Sequence, residues 1–273
     1  MNFKTLYNEL RGKLEFISDK LNFQFSPPPS VDEWIANARN KHKGERCFII
    51  ATGPSLNMLD LTKLKGEVCF GVNGTYLLEN VDLTYFAYVS NWWHKQHIEG
   101  LKHVKCERRF LAPEVKSELE SEVPTTWYNK INPKYYSKWK TPLPVPAGFS
   151  KHPDKYIYAG GSVVFVCLQL AYYMGFSKVY VIGLDHSYSK NKDNDFKKHG
   201  GGRMKIVGND NTHFSSEYNK SGAIDAYIDL MAMERAYSIA KNVFEASKRK
   251  IFNASAHTQL EIFEKIQYNS LFT

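Results

Sequence analysis

Hydrophobic positions near the start of the chain recur every three or four residues, which is the period of an amphipathic helix. They are Phe3, Leu6, Leu10, Leu14, Ile17 and Leu21, and they predict a helix over residues 3–23. The proline run in residues 26–30 ends it. Ser30, followed three positions later by Glu33, forms a capping-box pattern and predicts a second helix near 31–41. We therefore predict an N-terminal helical arm over residues 1–44, which either packs on the core or contacts an oligomer partner or a membrane surface.

From Arg46 onwards, short apolar runs of β-forming residues alternate with helix-like segments. The runs predict strands over 46–51, 67–72, 84–89, 178–184 and 251–256, with a poorer strand around 108–111. A buried helix is expected between Gly161 and Gly175, and a long one over 223–248. This alternation predicts an α/β fold with a Rossmann-like, doubly wound, mostly parallel sheet, in one domain over 45–273.

Two stretches lack a core pattern. Residues 113–158 are rich in Pro, Tyr and Trp and predict a loop or a small insertion. Residues 186–222 are polar and glycine-rich, with three consecutive glycines at 200–202, and predict a lid.

Each predicted strand stops at small or polar residues, at the edge where parallel sheets bind ligands. These residues are Thr52, Gly53, Pro54, Ser55, Asn73, Ser90, Asn91, Asp185 and His186. Gly161 and Ser162 join them at the start of a helix, a position that suits a phosphate group. The pattern predicts a nucleotide-binding edge, although each of these residues could instead serve only as a turn or a cap.

Composition narrows the class of protein. The chain has 273 residues, of which 43% are hydrophobic, enough to form a sizeable core. Its net charge of +8 suits nucleic acid, an anionic membrane face or an acidic substrate. No nucleic-acid-binding motif is present, so we expect no nucleic-acid partner. The four cysteines form no CxxC pair, which favours free thiols in a reducing compartment over disulfides or a zinc site.

The first 16 residues carry charges throughout and contain no apolar signal-peptide core. No apolar run is long enough to span a membrane. We expect a cytoplasmic protein, and contact with the inner membrane face is left open.

Four segments resemble the bacterial family 42 sialyltransferases. They are "ATGPSL" (51–56), "GVNGTYL" (71–77), the run from Gly160 to Ser189, and "NDNTHFSSEY" (209–218). The match is closer still to the DUF115 group of MptE-like and Maf-like proteins. The resemblance covers roughly residues 45–256 and implies a GT-A-like variant of the Rossmann fold.

The resemblance implies an inverting glycosyltransferase that takes a nonulosonic sugar from a CMP-activated donor and needs no metal or other cofactor. It implies that Asn73 contacts the ribose or phosphate, that Asp185 orients the nucleotide or a lid residue, and that Tyr188 and Tyr218 stabilise the departing phosphate. The general base is either His213, favoured by its residue type, or Glu217, favoured by its position. Thr52 stands where the family has an asparagine, and the asparagine after the third strand is shifted to Asn91 or replaced by Ser90.

The expected partners are the CMP-sugar donor and a glycan or glycolipid acceptor, in the building of surface polysaccharide, lipooligosaccharide or glycosylated flagellin. Homo-oligomerisation is left open. Two other functions compete with this one. An MptE-like pterin pyrophosphokinase would use Mg²⁺ and ATP, but it would be expected to carry carboxylates where this chain has Asn73–Thr75 and Ser90–Trp92. A non-enzymatic nucleotide-binding module would leave the strand-end polar residues without a role.

Overall fold

The computed structural model describes residues 32–89, 95, 97–131, 148–187, 196–199, 203–206, 212–219, 224–226 and 228–272. In chain order the strands are β1 (Arg46–Ile50), β2 (Cys69–Val72), β3 (Leu83–Tyr88), β4 (Cys106–Leu111), β5 (Thr125–Trp127), β6 (Lys130–Ile131), β7 (Ile157–Tyr158), β8 (Lys178–Ile182), β9 (Phe196–His199), β10 (Arg203–Ile206), β11 (Ile224–Ala226), β12 (Lys250–Asn253) and β13 (Glu264–Lys265). The α-helices are α1 (Glu33–Asn37), α2 (Ile98–Lys102), α3 (Lys116–Leu119), α4 (Val163–Met174) and α5 (Leu230–Ala246).

Eight of the described strands form one sheet in the order β13-β12-β8-β1-β2-β3-β4-β5. Every neighbouring pair in this sheet is parallel. From β1 the chain builds outwards on one side through β2 to β5, and then returns to the other side of β1 with β8, β12 and β13. The order therefore reverses between β1 and β8, and a crevice opens at the carboxyl ends of strands at such a switch point. The prediction of a Rossmann-like, doubly wound parallel sheet is confirmed.

Both faces of the sheet are covered, which explains why its strands are continuous apolar runs. In β1, Cys47 and Ile49 belong to the cluster under α4 and α5. Phe48 and Ile50 face the opposite cluster, which contains residues of α2, α3 and the short 3₁₀ helices. All four side chains are fully buried, and each large one contributes about 1.5–3 kcal/mol to folding.

Helix α4 shows how local signals set the ends of an element. The Ser162 side chain accepts a hydrogen bond from the Val164 N–H (3.2 Å), which caps the start. Gly175 adopts a left-handed conformation with φ of 96°, and its N–H bonds back to the last turn. A residue with a side chain is strained there, so the glycine ends the helix. The predicted helix between Gly161 and Gly175 is confirmed.

Several predicted boundaries are wrong. The long helix predicted over 223–248 begins only at Leu230, capped by the Asp229 side chain, because Ile224–Ala226 pairs with β10 as a strand. The helix predicted near 31–41 is α1, which is capped by Asp32 and ends at Asn37. Turns follow it, and Asn40 has φ of 59°. The predicted helix over 3–23 lies outside the described residues.

Residues 113–158 contain more than a loop. Within them β5 extends the main sheet beside β4, and β6 pairs with β7 in a separate two-stranded sheet.

In the predicted lid, β9 and β10 form an antiparallel pair. β11, which follows the lid, joins β10 as the third strand. Tyr218, which lies within this predicted segment, is only 2% exposed and belongs to the core cluster that contains Phe48 and Ile50. In the part of the chain that the structure describes, no helix has the length and hydrophobicity needed to cross a membrane.

Residues 32–44 lie against the rest of the fold. Ile35 and Ala38 are buried in the cluster with α4. The Asn40 and His42 N–H groups donate to carbonyls of Tyr173 and Met174 at the end of α4. Whether residues 1–44 act as an arm stays a prediction.

Candidate functional site

The loops after β1 and β8 approach closely at the switch point of the sheet. The Gly53 N–H donates to the carbonyl of Gly183 (2.8 Å). A Cβ on Gly53 would lie 2.5 Å from Cγ of Asp185 and 2.6 Å from the Gly183 carbonyl oxygen. No side chain larger than the hydrogen of glycine fits at this distance. The close approach of the neighbouring loop therefore requires glycine at position 53.

Asp185 fixes the loop that follows β1. Its Oδ2 accepts the Ser55 main-chain N–H (2.8 Å), and its Oδ1 accepts the Ser55 hydroxyl. Burial raises the pKa of the Asp185 carboxyl above its ordinary value, while the Ser55 hydrogen bonds and then the nearby His257 and His213 act in the opposite direction. Because both donors of Ser55 are engaged by Asp185, Ser55 takes part in this site by holding the loop. Pro54 starts the 3₁₀ helix Pro54–Met58 that Ser55 belongs to.

The segment 212–219 docks against the same edge. The Phe214 N–H donates to the carbonyl of Thr52 (2.9 Å), and Asn57 Nδ2 donates to the carbonyl of Phe214 (2.8 Å). These contacts bring residues that are more than 150 positions apart in sequence to the end of β1. Thr52 is buried, and its backbone carbonyl makes the contact with this segment.

His213 and Tyr218 lie face to face in this segment. Their ring centroids are 3.6 Å apart and their planes differ by 9°. The Tyr218 phenol oxygen accepts a hydrogen bond from Asn73 Nδ2 (3.2 Å), and Asn73 follows β2 with a left-handed φ of 48°. Three predicted residues from two distant segments of the sequence thus lie in one contiguous cluster.

Glu217, the other predicted base, differs from these residues in its exposure to solvent. Its side chain is exposed, and its main-chain N–H bonds to the Ser215 hydroxyl (3.2 Å). The half-buried His213 imidazole bonds through Nδ1 to the Thr212 hydroxyl (3.0 Å) and is within electrostatic range of Asp185. Of the two predicted bases, His213 is the one that contacts other predicted site residues.

Gly161 and Ser162 lie at the start of α4, and His186 lies in the loop after β8. Gly160 and Gly161 have φ of 57° and 75°, so both need the freedom of glycine. The Tyr237 hydroxyl donates to the Ser162 hydroxyl oxygen (2.8 Å), which links the start of α4 to α5. Helices between parallel strands run antiparallel to them, so the amino ends of α4 and α5 point to the carboxyl edge of the sheet.

His186 is buried beside this linkage. Its Nε2 lies 3.0 Å from Oε1 of Glu234 on α5, and its ring makes an edge contact with Tyr237. It adopts a left-handed φ of 54°, which is uncommon for a residue with a side chain. Within the described residues its Nδ1 has no hydrogen-bond partner.

Three of the predicted site residues, Ser90, Asn91 and Tyr188, lie outside the described residues. The sequence patterns predict no site role for His97, which bonds to the Tyr218 carbonyl, or for Glu234, which bonds to His186. No local pattern marks either one, since each acquires its contact through the fold.

The cysteine thiols and a possible metal site are the other candidates for chemistry. The four cysteines are free, and Cys47, Cys69 and Cys167 are buried. Burial raises the pKa of the Cys69 thiol to about 12 and that of Cys106 to about 11, so these thiols are poor nucleophiles. Among the described residues, no group of three or more His, Cys, Asp or Glu side chains is arranged to hold a metal ion.

No protein-family model matches the chain, and no curated protein matches it. Among solved structures, the chain is similar to the sialyltransferase CstII from Campylobacter jejuni, solved in complex with a substrate analogue, cytidine-5′-monophosphate. The TM-score is 0.44 and the identity is 12%, over 83% of this chain and 86% of that chain. At this level the likeness carries no argument about function, which has to come from the residues of the crevice.

Proposed function

We propose that this chain is an inverting glycosyltransferase that moves an acidic sugar from a CMP-activated donor to a hydroxyl of a glycan, without a metal ion. The observation that carries the proposal is the stacked pair of His213 and Tyr218 beside the switch-point loop Thr52–Ser55. An imidazole and a phenol at a nucleotide-binding edge supply the two functions that this reaction needs, a base and a donor to the leaving group.

Tyr218 is the proposed donor to the departing phosphate. Its phenol oxygen accepts from Asn73, and a phenol that accepts a hydrogen bond can also donate one. In a nearly buried position, a hydrogen bond to a developing negative charge is stronger than in water. The amino ends of α4 and α5 add favourable dipoles at the same edge of the sheet.

His213 is the proposed base that takes the proton of the acceptor hydroxyl. This role requires the tautomer in which Nδ1–H donates to the Thr212 hydroxyl, because Nε2 then carries the lone pair. Glu217 remains the alternative base that the family pattern favours, and its exposed side chain would have to turn towards the crevice.

The setting of the reaction is also part of the proposal. The sugar is sialic acid, another nonulosonic acid or Kdo, and the acceptor belongs to surface polysaccharide, lipooligosaccharide or flagellin. A net charge of +8 suits an anionic donor and work at the inner face of the inner membrane. In this proposal Asp185, Gly161, Ser162 and His186 contact the nucleotide.

The test is ligand binding followed by donor hydrolysis. Thermal-shift measurements with CMP, CDP, UDP and ATP are made with EDTA and with Mg²⁺. We expect CMP to raise the melting temperature equally in both conditions. Stabilisation by ATP only with Mg²⁺ would favour the pyrophosphokinase instead. A hydrolysis screen across CMP-sugars then identifies the donor. If the protein binds CMP but hydrolyses none of the CMP-sugars, the transferase proposal is contradicted.

A further inference from the structure

Both polar ends of Tyr218 are connected to one short element, the 3₁₀ helix Asn73–Leu77. At one end Asn73 Nδ2 donates to the phenol oxygen (3.2 Å). At the other end the link is indirect and runs through His97: its Nε2 lies 2.8 Å from the Tyr218 carbonyl oxygen, and its Nδ1 bonds to the Tyr76 hydroxyl. Together these contacts form a closed path from Asn73 through Tyr218 and His97 back to Tyr76.

The chemistry of this path fixes the direction of each hydrogen bond. A carbonyl oxygen only accepts, so Nε2 of His97 carries a hydrogen and donates it to Tyr218. In the neutral imidazole, Nδ1 then accepts from the Tyr76 hydroxyl. Burial raises the pKa of Tyr76 to about 12, so its hydroxyl stays protonated over the usual working range of pH.

The surroundings of His97 keep its ring in place. The side chain is 7% exposed, and its main-chain carbonyl accepts the Leu101 N–H (2.9 Å) at the start of α2. Gly100 lies in the same helix, and a Cβ there would overlap the ring of Tyr76. A glycine inside a helix has a cost in stability, and here it makes room for the tyrosine that orients His97.

We propose that His97 is a positioning residue, which sets the place of Tyr218 and, through ring stacking, of His213. The proposal rests on the proposed function, because Tyr218 is the phenol assigned there to the leaving phosphate. It goes beyond that function in assigning a working role to a residue that need not touch either substrate.

The first experiment does not depend on any ligand. Hydrogen exchange of the backbone amides of residues 212–219 is compared in wild type and His97→Ala. We expect exchange in this segment to be about tenfold faster in the variant, since a hydrogen bond of ordinary strength is lost. Exchange in α4 should not change. Unchanged exchange in 212–219 would overturn the proposal.

Conservative variants separate positioning from general destabilisation. His97→Gln can keep an amide N–H near the place of Nε2 and should restore slow exchange, whereas the shorter His97→Asn should not. His42→Ala is the matched control. His42 is also buried with hydrogen bonds at both ring nitrogens, but it lies at the opposite edge of the sheet, next to the end of α4. Fast exchange of 212–219 in both His97→Gln and His42→Ala would contradict a specific role.

The second experiment is a double-mutant cycle on CMP affinity. We expect the substitution His97→Ala to weaken CMP binding about tenfold when Tyr218 is present. When Tyr218 is already replaced by phenylalanine, the same substitution should have little further effect. Full additivity would show that His97 does not act through Tyr218. If wild type fails to bind CMP, the proposed function fails, while the exchange data still decide the role of His97. If His97→Ala does not fold, Tyr76→Phe removes the bond to Nδ1 and must speed exchange in 212–219 for the proposal to stand.

Discussion

The Asp185 carboxylate accepts both the main-chain N–H and the hydroxyl of Ser55, and so joins the loop after β8 to the loop after β1. The two residues are 130 positions apart in sequence and meet because their strands are neighbours in the sheet. A small residue at 53 is needed for this contact, because a side chain there would occupy the place of the Asp185 carboxyl group. The contact between the two loops therefore depends on one aspartate, one serine and one glycine.

The pH dependence of stability should reveal the buried carboxyl of Asp185. Its folded-state pKa is raised above the ordinary value of 3.8, so its contribution to stability is fully present below that pH. The contribution is lost as pH rises through the folded-state pKa. Between these limits we expect wild type to lose stability relative to Asp185→Asn, measured by urea unfolding at a series of pH values. A gain of wild type over the variant with rising pH would contradict the raised pKa.

Replacing Gly53 by alanine should destabilise the protein and distort the crevice. The added methyl group would meet the Asp185 carboxyl and the Gly183 carbonyl, neither of which can move without breaking its own hydrogen bonds. We expect a loss of about 1–3 kcal/mol in the free energy of unfolding, which is typical of overpacking. Urea unfolding checks the stability, and CMP titration checks the site. A Gly53→Ala protein with wild-type stability would show that the loops separate more easily than the structure indicates.

Removing the Tyr218 hydroxyl should reduce turnover with little effect on folding. We expect kcat for CMP-sugar hydrolysis to fall about 10²–10³-fold in Tyr218→Phe, by analogy with the loss of one donor to a developing anion. Tyr268→Phe is the matched control. Tyr268 is buried in the same hydrophobic cluster as Tyr218, and its hydroxyl also makes a hydrogen bond, to the Asp60 carbonyl. Equal activity of the two variants would remove Tyr218 from the mechanism.

The choice between the two candidate bases can be tested directly. We expect His213→Ala to lower the rate of sugar transfer by about 10²–10⁴-fold, the usual contribution of general base catalysis. Glu217→Gln should keep nearly all of the transfer rate, because that side chain is exposed. Circular dichroism serves as the folding control for both. The reverse pattern, with Glu217→Gln inactive and His213→Ala active, would assign the base to Glu217.

Much of the fold follows from local signals in the sequence. The apolar run before Gly53 is long enough for a strand buried on both faces, and Ser162 and Gly175 mark the two ends of α4 through capping and a left-handed turn. Such signals act over a few residues, so they can be read without knowing what lies nearby. They predicted the α/β class and the polar strand ends.

Short elements and long-range pairings could not be predicted in the same way. β5 and β13 have only three and two residues, too few to show a period, and they exist because a neighbouring strand offers hydrogen bonds. Ile224–Ala226 continues a helical pattern in sequence, but pairing with β10 makes it a strand. Competition between local preference and pairing is decided only in the folded chain.

The residue types that stop each strand can be recognised along the chain, because glycine, serine, asparagine and aspartate end apolar runs through backbone freedom and local hydrogen bonds. Which of those ends meet depends on the packing of the folded chain. The reversal of strand order between β1 and β8 brings Asp185 to Ser55, and the docking of 212–219 buries Tyr218 between Asn73 and His97. His97 and the Tyr218 carbonyl are 121 positions apart, so no pattern along the chain could have joined them.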